Sequence, residues 1–566
     1  MTADLLSDLN PFAPRDPMRR QSDAFPQRLG VVVGGSLNDG VLIKLDGDVM
    51  IEGVAVGSYV TIVGQTDRKF FGLVTDIRLD ASDASFAHLP PPEDALRMEI
   101  YRGTLTFGLL HVKPMLVQEG TGEVKPVKSV PAHFAVACRA TPDEVRHIFQ
   151  ADERLGYRIG ESVEDANIEI TLNLERLIER SSAVFGRSGT GKTFLTLPLL
   201  ANIIRRDLAS VLIFDMHNDY GYTLKGDGNR KLKGLKQLSA ISPKVIIVTL
   251  DEDSSRTRNS RPEFALQISY DQIEPEDIEM LRSVLGLSDV QVNALHALKR
   301  RFPNRWIRQL LSDEVDDDVQ ALFDNNKIAE GTYFAMQRKL QRLLKFGFLQ
   351  PEKVEDFANR VLEHLLRGYS VVVEFGRYGN DLPAYVFVAN FLTRRIHRRY
   401  VEMKEAAEGG GEEPKKLVIA VEEAHKFLEP DVADLTIFGT IARELRKYNV
   451  TLLIVDQRPS QIDAEVMSQI GTRITCALSD ERDIAAVFTG MSGAGQLRSV
   501  LAALDSKQQA LIMGHAVPMP VVVRTTEYGE AIYKQFADPL AEAPAEVRAE
   551  VNRKKLGRRD PDEGLV

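Results

Sequence analysis

From Arg28 the chain alternates short apolar runs with turn residues. RLGVVVGGSLNDGVLIKLD, VGSYVTIV and KFFGLVTDIRLD carry Val, Ile and Leu in strand-length runs, parted by Gly, Asn and Asp. No helical period runs among them, and the spacing predicts a small β-barrel over residues 28–150. A structural cap and a ligand-binding barrel are the two uses open to it. Residues 1–27, polar and punctuated by proline, read as a flexible leader. From residue 151 the texture changes. SVLIFDMH, KVIIVTL, YSVVVEFG, KLVIAVEE, TLLIVDQ and RITCAL are β-branched and apolar on both sides, as strands covered on both faces of a parallel sheet must be. They predict an α/β core in two parts, residues 151–265 and 366–535.

The stretch between those parts, residues 266–365, is helical in period: Ile278, Leu281 and Leu285 fall on one face, and Met336, Leu340 and Leu343 on another. It predicts a helical subdomain inserted between strands. Arg338, Lys339, Arg342 and Lys345 lie beside the second stripe, either as a solvated helix face or as a DNA contact. Met403–Lys416, MKEAAEGGGEEPKK, is low in complexity and predicts a mobile surface loop. Residues 536–566 form an Ala/Glu-rich and then basic tail.

Composition narrows the class. A chain of 566 residues exceeds one ordinary core, so two or three domains are expected. No apolar run approaches the ~20 residues that cross a bilayer, and the first residues lack a secretory pattern. Two cysteines, Cys138 and Cys476, exclude a disulfide scaffold and a Cys-rich zinc module. A cytoplasmic protein without membrane segments is the expectation. Net charge is −10, against the usual basic balance of duplex binders. A basic stripe confined to one channel would be averaged away, so the total is silent on nucleic acid. GNRKLKGLKQL, Gly228–Leu238, is either a basic loop facing DNA or an ordinary solvated loop.

Chemistry enters at AVFGRSGTGKTFLTLPLL, which fits G-x-x-x-x-G-K-[ST] through Gly186, Gly191, Lys192 and Thr193, with a strand end before it and an apolar helix after. Glycines let the backbone wrap phosphates so that its N–H groups and the helix N-terminus face negative charge. The segment Gly186, Ser188, Gly189, Thr190, Gly191, Lys192 and Thr193 is therefore the predicted ATP cradle. Lys192 reaches the β- and γ-phosphates and the Thr193 hydroxyl reaches Mg²⁺. Such a loop needs acids on a neighbouring strand end. VIAVEEAHKF supplies Glu422, on the Mg²⁺ side, and Glu423, to activate the attacking water. His425 beside them reads as a structural or coupling residue. TLLIVDQRPS ends a strand in Gln457, a neutral amide suited to sensing the γ-phosphate or the water, with Asp456 next to it. IARELRKYNV carries Arg443, Arg446 and Lys447, of which an arginine acts across a subunit boundary or belongs to a salt-bridged helix face. In SVLIFDMHNDYG, Asp215, His217, Asn218, Asp219 and Tyr220 read as lining the nucleotide site; a single His without His or Cys partners does not make a metal site.

Taken in order, these segments resemble the HerA branch of the HerA/FtsK ATPases over most of the chain. The barrel runs, RIGESVEDANIEITLNLERLIERSSAVFGRSGTGKT, DMHNDYG, EEAHKF, RELRKYNVTLLIVDQRPS and SQIGTRI carry the resemblance. Asn218 departs from it, standing where the family has Gly, and Glu422 stands where Asp is commoner. The resemblance implies a RecA-like P-loop ATPase core behind a HerA-type barrel, and a homo-hexamer with ATP sites between subunits and double-stranded DNA through its channel. Arg443 or Arg446 would act in trans and Gln457 would be the sensor. It further implies a separate nuclease, NADase or similar effector as partner, in DNA-end processing or anti-phage defence. A hexameric scaffold that activates such an effector is the alternative.

Overall fold

The computed structural model describes residues 26–537 apart from 66, 84–93, 95–100, 102–104, 121, 151, 153, 164, 227–229, 313, 434–435, 445–446, 492–494, 496 and 506. Residues 1–25 of the expected leader, residues 538–566 of the tail, and Arg446 lie outside the described residues. The chain divides into two compact units, Met1–Ile148 and Phe149–Val566.

In the first unit the apolar runs pair as expected. Strands β1 (Arg28–Ser36), β2 (Gly40–Leu45), β3 (Tyr59–Val63), β4 (Arg68–Ala81), β5 (Thr106–Glu119), β6 (Lys125–Pro126) and β7 (Val136–Arg139) make a sheet in the order β2-β1-β7-β3-β4-β5-β6. An added β2–β5 pairing closes it into a barrel. Inward-facing Leu29, Val32, Val41, Ile43, Ile62, Phe70, Val74, Leu110 and Val112 fill its interior. Closure removes the free sheet edges that an open sheet of this kind would expose.

The second unit is built on strands β8 (Gly156–Ser162), β9 (Glu169–Asn173), β10 (Ser182–Phe185), β11 (Ser210–Asp215), the small pair β12 and β13 (Leu224–Lys225, Lys231–Leu232), β14 (Val245–Thr249), β15 (Phe264–Ala265), the pair β16 and β17 (Ile268–Ser269, Leu349–Gln350), β18 (Ser370–Glu374), β19 (Leu417–Glu422), β20 (Val450–Asp456), β21 (Thr472–Cys476), β22 (Gln509–Gly514) and β23 (Val521–Thr525). Twelve of them form one sheet, β15-β14-β18-β11-β19-β20-β10-β21-β22-β23-β8-β9. Strands from β15 to β21 are parallel, and those from β21 to β9 antiparallel. Every residue of β10, β11, β14, β18, β19, β20 and β21 is buried, because helices such as Lys192–Arg205, Phe357–Leu366 and Ile437–Glu444 pack on the sheet. Parallel order matters for function: it sends the C-terminal ends of β10, β11, β18, β19 and β20 to one edge, where ligands bind in open α/β sheets.

The inserted segment is helical, with two differences from the period. Ile278, Leu281 and Leu285 are all buried, yet they do not share one helix: Pro275–Glu279 stops and Arg282–Leu285 begins, with Leu281 at φ −83°, ψ 6° between them. Asp277, fully buried, receives Arg394 at 3.0 Å and Arg395 at 3.4 Å from the helix Leu382–Glu408, which fastens the segment to the core. That helix also corrects the expected loop. Met403–Glu408 continue it, since Met, Lys, Glu and Ala are good helix formers, and only the glycines from Gly409 onward end it. Of the cations beside the second stripe, Lys339 donates to Gln291 Oε1 at 2.8 Å within the subdomain, and Lys345 to Asp381 at 2.5 Å, the N-cap of the core helix Leu382–Glu408. Among the described residues no helix is long and apolar enough to cross a membrane.

Candidate nucleotide site

β10 ends at Phe185 and the chain turns through Gly186–Gly191 into the helix Lys192–Arg205. The glycines are required one by one. A Cβ on Gly186 would come within 2.6 Å of Thr190 Oγ1 and 2.8 Å of the Cys476 Cβ on β21. Gly189 and Gly191 hold φ of 79° and 91°, the left-handed region that a side chain strains. Gly191 caps the helix without a side-chain acceptor, which leaves its first N–H groups directed at the loop. Lys192 Nζ donates to the carbonyls of Gly186 at 2.8 Å and Arg187 at 3.2 Å. Burial draws it below the ordinary lysine value, against the pull of Glu423, Cys476, Asp456 and Glu422. Thr193 follows in the first helical turn.

The acids stand across β20. Glu422 is the last residue of β19 and is 7% exposed. Its Oε2 is buried and, among the described residues, makes no well-formed hydrogen bond. Burial, then the charges of Asp215 and Asp219, push its carboxyl well above the usual range against the nearby Tyr220 hydroxyl. Tyr385 Oη, also buried, donates to the Glu422 carbonyl at 2.8 Å and holds the strand end. Glu423 leaves the strand at φ 47°. Its carboxylate accepts from Gln457 Nε2 at 3.0 and 3.2 Å, one contact to each oxygen. Two adjacent acids thus face different neighbours, Glu422 the β11 side and Glu423 the β20 side.

Asp456 is the residue that reading the strand end as a sensor undervalued. Fully buried at its side chain, it accepts from the backbone N–H and the Nδ1 of His425, at 2.7 and 2.9 Å to Oδ2, and from the Arg458 N–H at 2.8 Å to Oδ1. Burial works against its charge, but His425 and these N–H groups prevail and hold its carboxyl below the usual range. Burial likewise opposes protonation of His425, and the Asp456 contact outweighs it and raises the imidazole. The clue was present in sequence as an acid directly before Gln457. Tyr385 and Lys426 left no such clue: Lys426 Nζ lies 3.6 Å from Met216 Sδ and over the Tyr385 ring, in the field of Glu423.

Asp215, expected to line the nucleotide site, is fully buried and spends its oxygens on its own turn. It accepts from the N–H groups of Asp219 and Tyr220, each at 2.8 Å, and of Gly221 at 3.3 Å. Asn218 takes φ 61°, so it adopts the conformation that a Gly at this place would supply, and its Oδ1 accepts the Gly376 N–H at 2.9 Å. Arg443 lies on the helix Ile437–Glu444 with Nε 3.6 Å from Glu465. Three described cations of the basic loop are held within the unit. Lys236 pairs with Glu263 at 2.6 Å, Arg230 with Glu527 at 3.6 Å, and Lys233 lies over the Tyr533 ring.

A phosphate loop, a lysine, a hydroxyl at the helix start and a buried carboxylate oxygen without a partner together fit a magnesium nucleotide. Residues 157–396 match the family model described as Helicase HerA, central domain, and residues 29–103 match the HAS barrel domain. The chain is 26% identical over 516 residues to the DNA double-strand break repair helicase HerA of Sulfurisphaera tokodaii, covering 88% of this chain and 93% of that one. It is 24% identical over 521 residues to the protein of the same name from Saccharolobus solfataricus, covering 91% and 95%. Among solved structures, VirB4 of Thermoanaerobacter pseudethanolicus is similar at a TM-score of 0.45 and 13% identity, over 69% of this chain and 100% of that one. The protein is an enzyme of the P-loop ATPase class.

Proposed function

We propose, on the premise that this chain joins a HerA-type central domain to a HAS barrel, that it is an ATP-driven translocase or helicase working on duplex DNA as a ring of identical subunits. One observation carries the reading: the phosphate loop after β10, the orphaned Glu422 oxygen after β19 and the Gln457–Glu423 pair after β20 stand together on the C-terminal edge of one sheet. The N–H groups of Gly186–Gly191 and the start of the helix Lys192–Arg205 cradle phosphates. Lys192 neutralises charge on the β- and γ-phosphates. Thr193 and, through water, Glu422 would hold Mg²⁺, which when bound supplies charge neutralisation at the phosphates. Glu423 takes the proton of the attacking water, and Gln457, already its hydrogen-bond partner, fixes the carboxylate and senses the γ-phosphate. An arginine from the next subunit, Arg443 or Arg446, completes the charge balance and couples hydrolysis to movement of the ring.

The experiment is the Glu423→Gln variant of the full chain. Duplex-stimulated ATP hydrolysis should fall by ~10²–10⁴-fold, the contribution of a positioned general base, with ATP binding and assembly size by light scattering unchanged. Turnover near that of the unaltered chain would sink the proposal. The finer reading adds an effector, a nuclease or NADase-type enzyme that the ring serves in DNA-end processing or defence. It expects a stable complex with that effector on gel filtration, and a purified candidate that elutes apart from the ring is not the partner.

A further inference from the structure

The two acids after β19 are adjacent, yet one is buried toward β11 and the other meets Gln457 on the far side. The backbone makes the division. Glu422 ends the strand and Glu423 turns at φ 47°, a conformation that strains a residue with a side chain and persists only where its surroundings impose it. What imposes it lies two residues on. His425 donates to Asp456 twice, from its backbone N–H at 2.7 Å and from Nδ1 at 2.9 Å, and the Lys426 N–H closes the turn on the Glu423 carbonyl at 3.0 Å. Asp456 is itself immobile: its side chain is fully buried, and its other oxygen accepts the Arg458 N–H at 2.8 Å. The end of β19 is thereby stapled to the end of β20, the strand whose next residue, Gln457, grips the Glu423 carboxylate. A charge-assisted pair is the strong kind of hydrogen bond, and here it replaces the strand pairing that ceases at Glu422.

We propose that His425 is a positioning residue for Glu423, acting through its Asp456 staple and the 3.7 Å approach of its Nδ1 to the Glu423 carboxylate, and touching neither nucleotide nor DNA. The inference rests on Glu423 as the general base. It separates a carboxylate merely near the phosphates from one held where it can take a proton, a difference worth up to ~10²-fold for a displacement of about 1 Å.

Three substitutions test it in the full chain. Asn carries its amide nitrogen one bond from Cγ, where His carries Nδ1; Gln carries it one bond further out. His425→Asn should keep kcat within about fivefold, whereas His425→Gln and His425→Ala should lower it by ~10²-fold. The KM for ATP should stay near that of the unaltered chain in all three. His425→Ala and His425→Gln also lower the melting temperature by leaving buried Asp456 without its cation, so kcat is read per folded chain well below the transition. A His425→Gln variant as active per folded chain as His425→Asn would overturn the proposal, as would a His425→Ala loss accounted for by the folded fraction or the KM. Glu423→Gln run alongside keeps the two claims apart. If it retains turnover, the general-base reading fails and this inference with it; if it is inactive while His425→Ala is active, only the inference fails.

Discussion

Glu374 and Glu422 end the two parallel strands that flank β11, and both are buried, at 0% and 7% exposure. Their surroundings differ. Glu374 is answered on every side: Ser260 Oγ donates to both oxygens at 3.0 Å, Arg258 pairs with Oε2 at 3.0 Å, and Ser255 Oγ approaches at 3.4 Å. No cation makes an ion pair with Glu422 among the described residues, although Lys192 and Lys426 share its field, and one of its oxygens makes no hydrogen bond among them. A buried carboxylate whose charge is met is architecture. One whose charge is left open, at a sheet edge beside a phosphate loop, is poised for a ligand that brings the missing charge.

The contrast predicts opposite outcomes for the same change. Glu422→Gln removes a charge that the fold itself does not satisfy, so the melting temperature should hold or rise. ATP turnover should fall by at least ~10²-fold, as when a preorganised electrostatic contact is lost. Glu374→Gln leaves Arg258 facing an amide, and unfolding in denaturant should come about 3 kcal/mol sooner, with turnover of the folded fraction little changed. A lower melting temperature for Glu422→Gln, or an inactive but fully stable Glu374→Gln, would erase the distinction.

The sequence makes these two strands look alike, YSVVVEFG and KLVIAVEE, each a covered apolar run ending in Glu. Alternation and β-branching find the parallel strands and the first barrel strands, and glycine spacing finds the phosphate loop, since those depend on neighbours along the chain. The antiparallel half of the sheet, β22, β23, β8 and β9, is not among the expected strands. The doubled acid and its place after the loop single out Glu422 and Glu423 as candidates. What stayed hidden depends on partners brought from afar: the groups that satisfy Glu374 lie 114–119 positions upstream. Tyr385 reaches Glu422 across 37 positions. The turn that occupies the oxygens of Asp215 is hidden in the same way, since its N–H donors are seen only once the strand end folds back.

Asp215, between the two glutamates, is the intermediate case, with its oxygens met by N–H groups but by no cation. Burial raises its carboxyl from 3.8 to about 7; the N–H groups of Tyr220 and Asp219 oppose this, and the charge of Glu374 adds to it. A carboxyl raised on folding binds its proton more tightly in the folded chain than in the unfolded one. Its stabilising share is therefore complete below 3.8 and is lost as pH rises through about 7. Asp215→Asn cannot titrate, so whatever fixed offset the amide brings, the melting temperature of the variant relative to the unaltered chain should climb between pH 4 and 7. A difference that stays flat over that window would place Asp215 with Glu374, its charge fully carried by the fold, and would leave Glu422 alone as the unanswered acid of this edge.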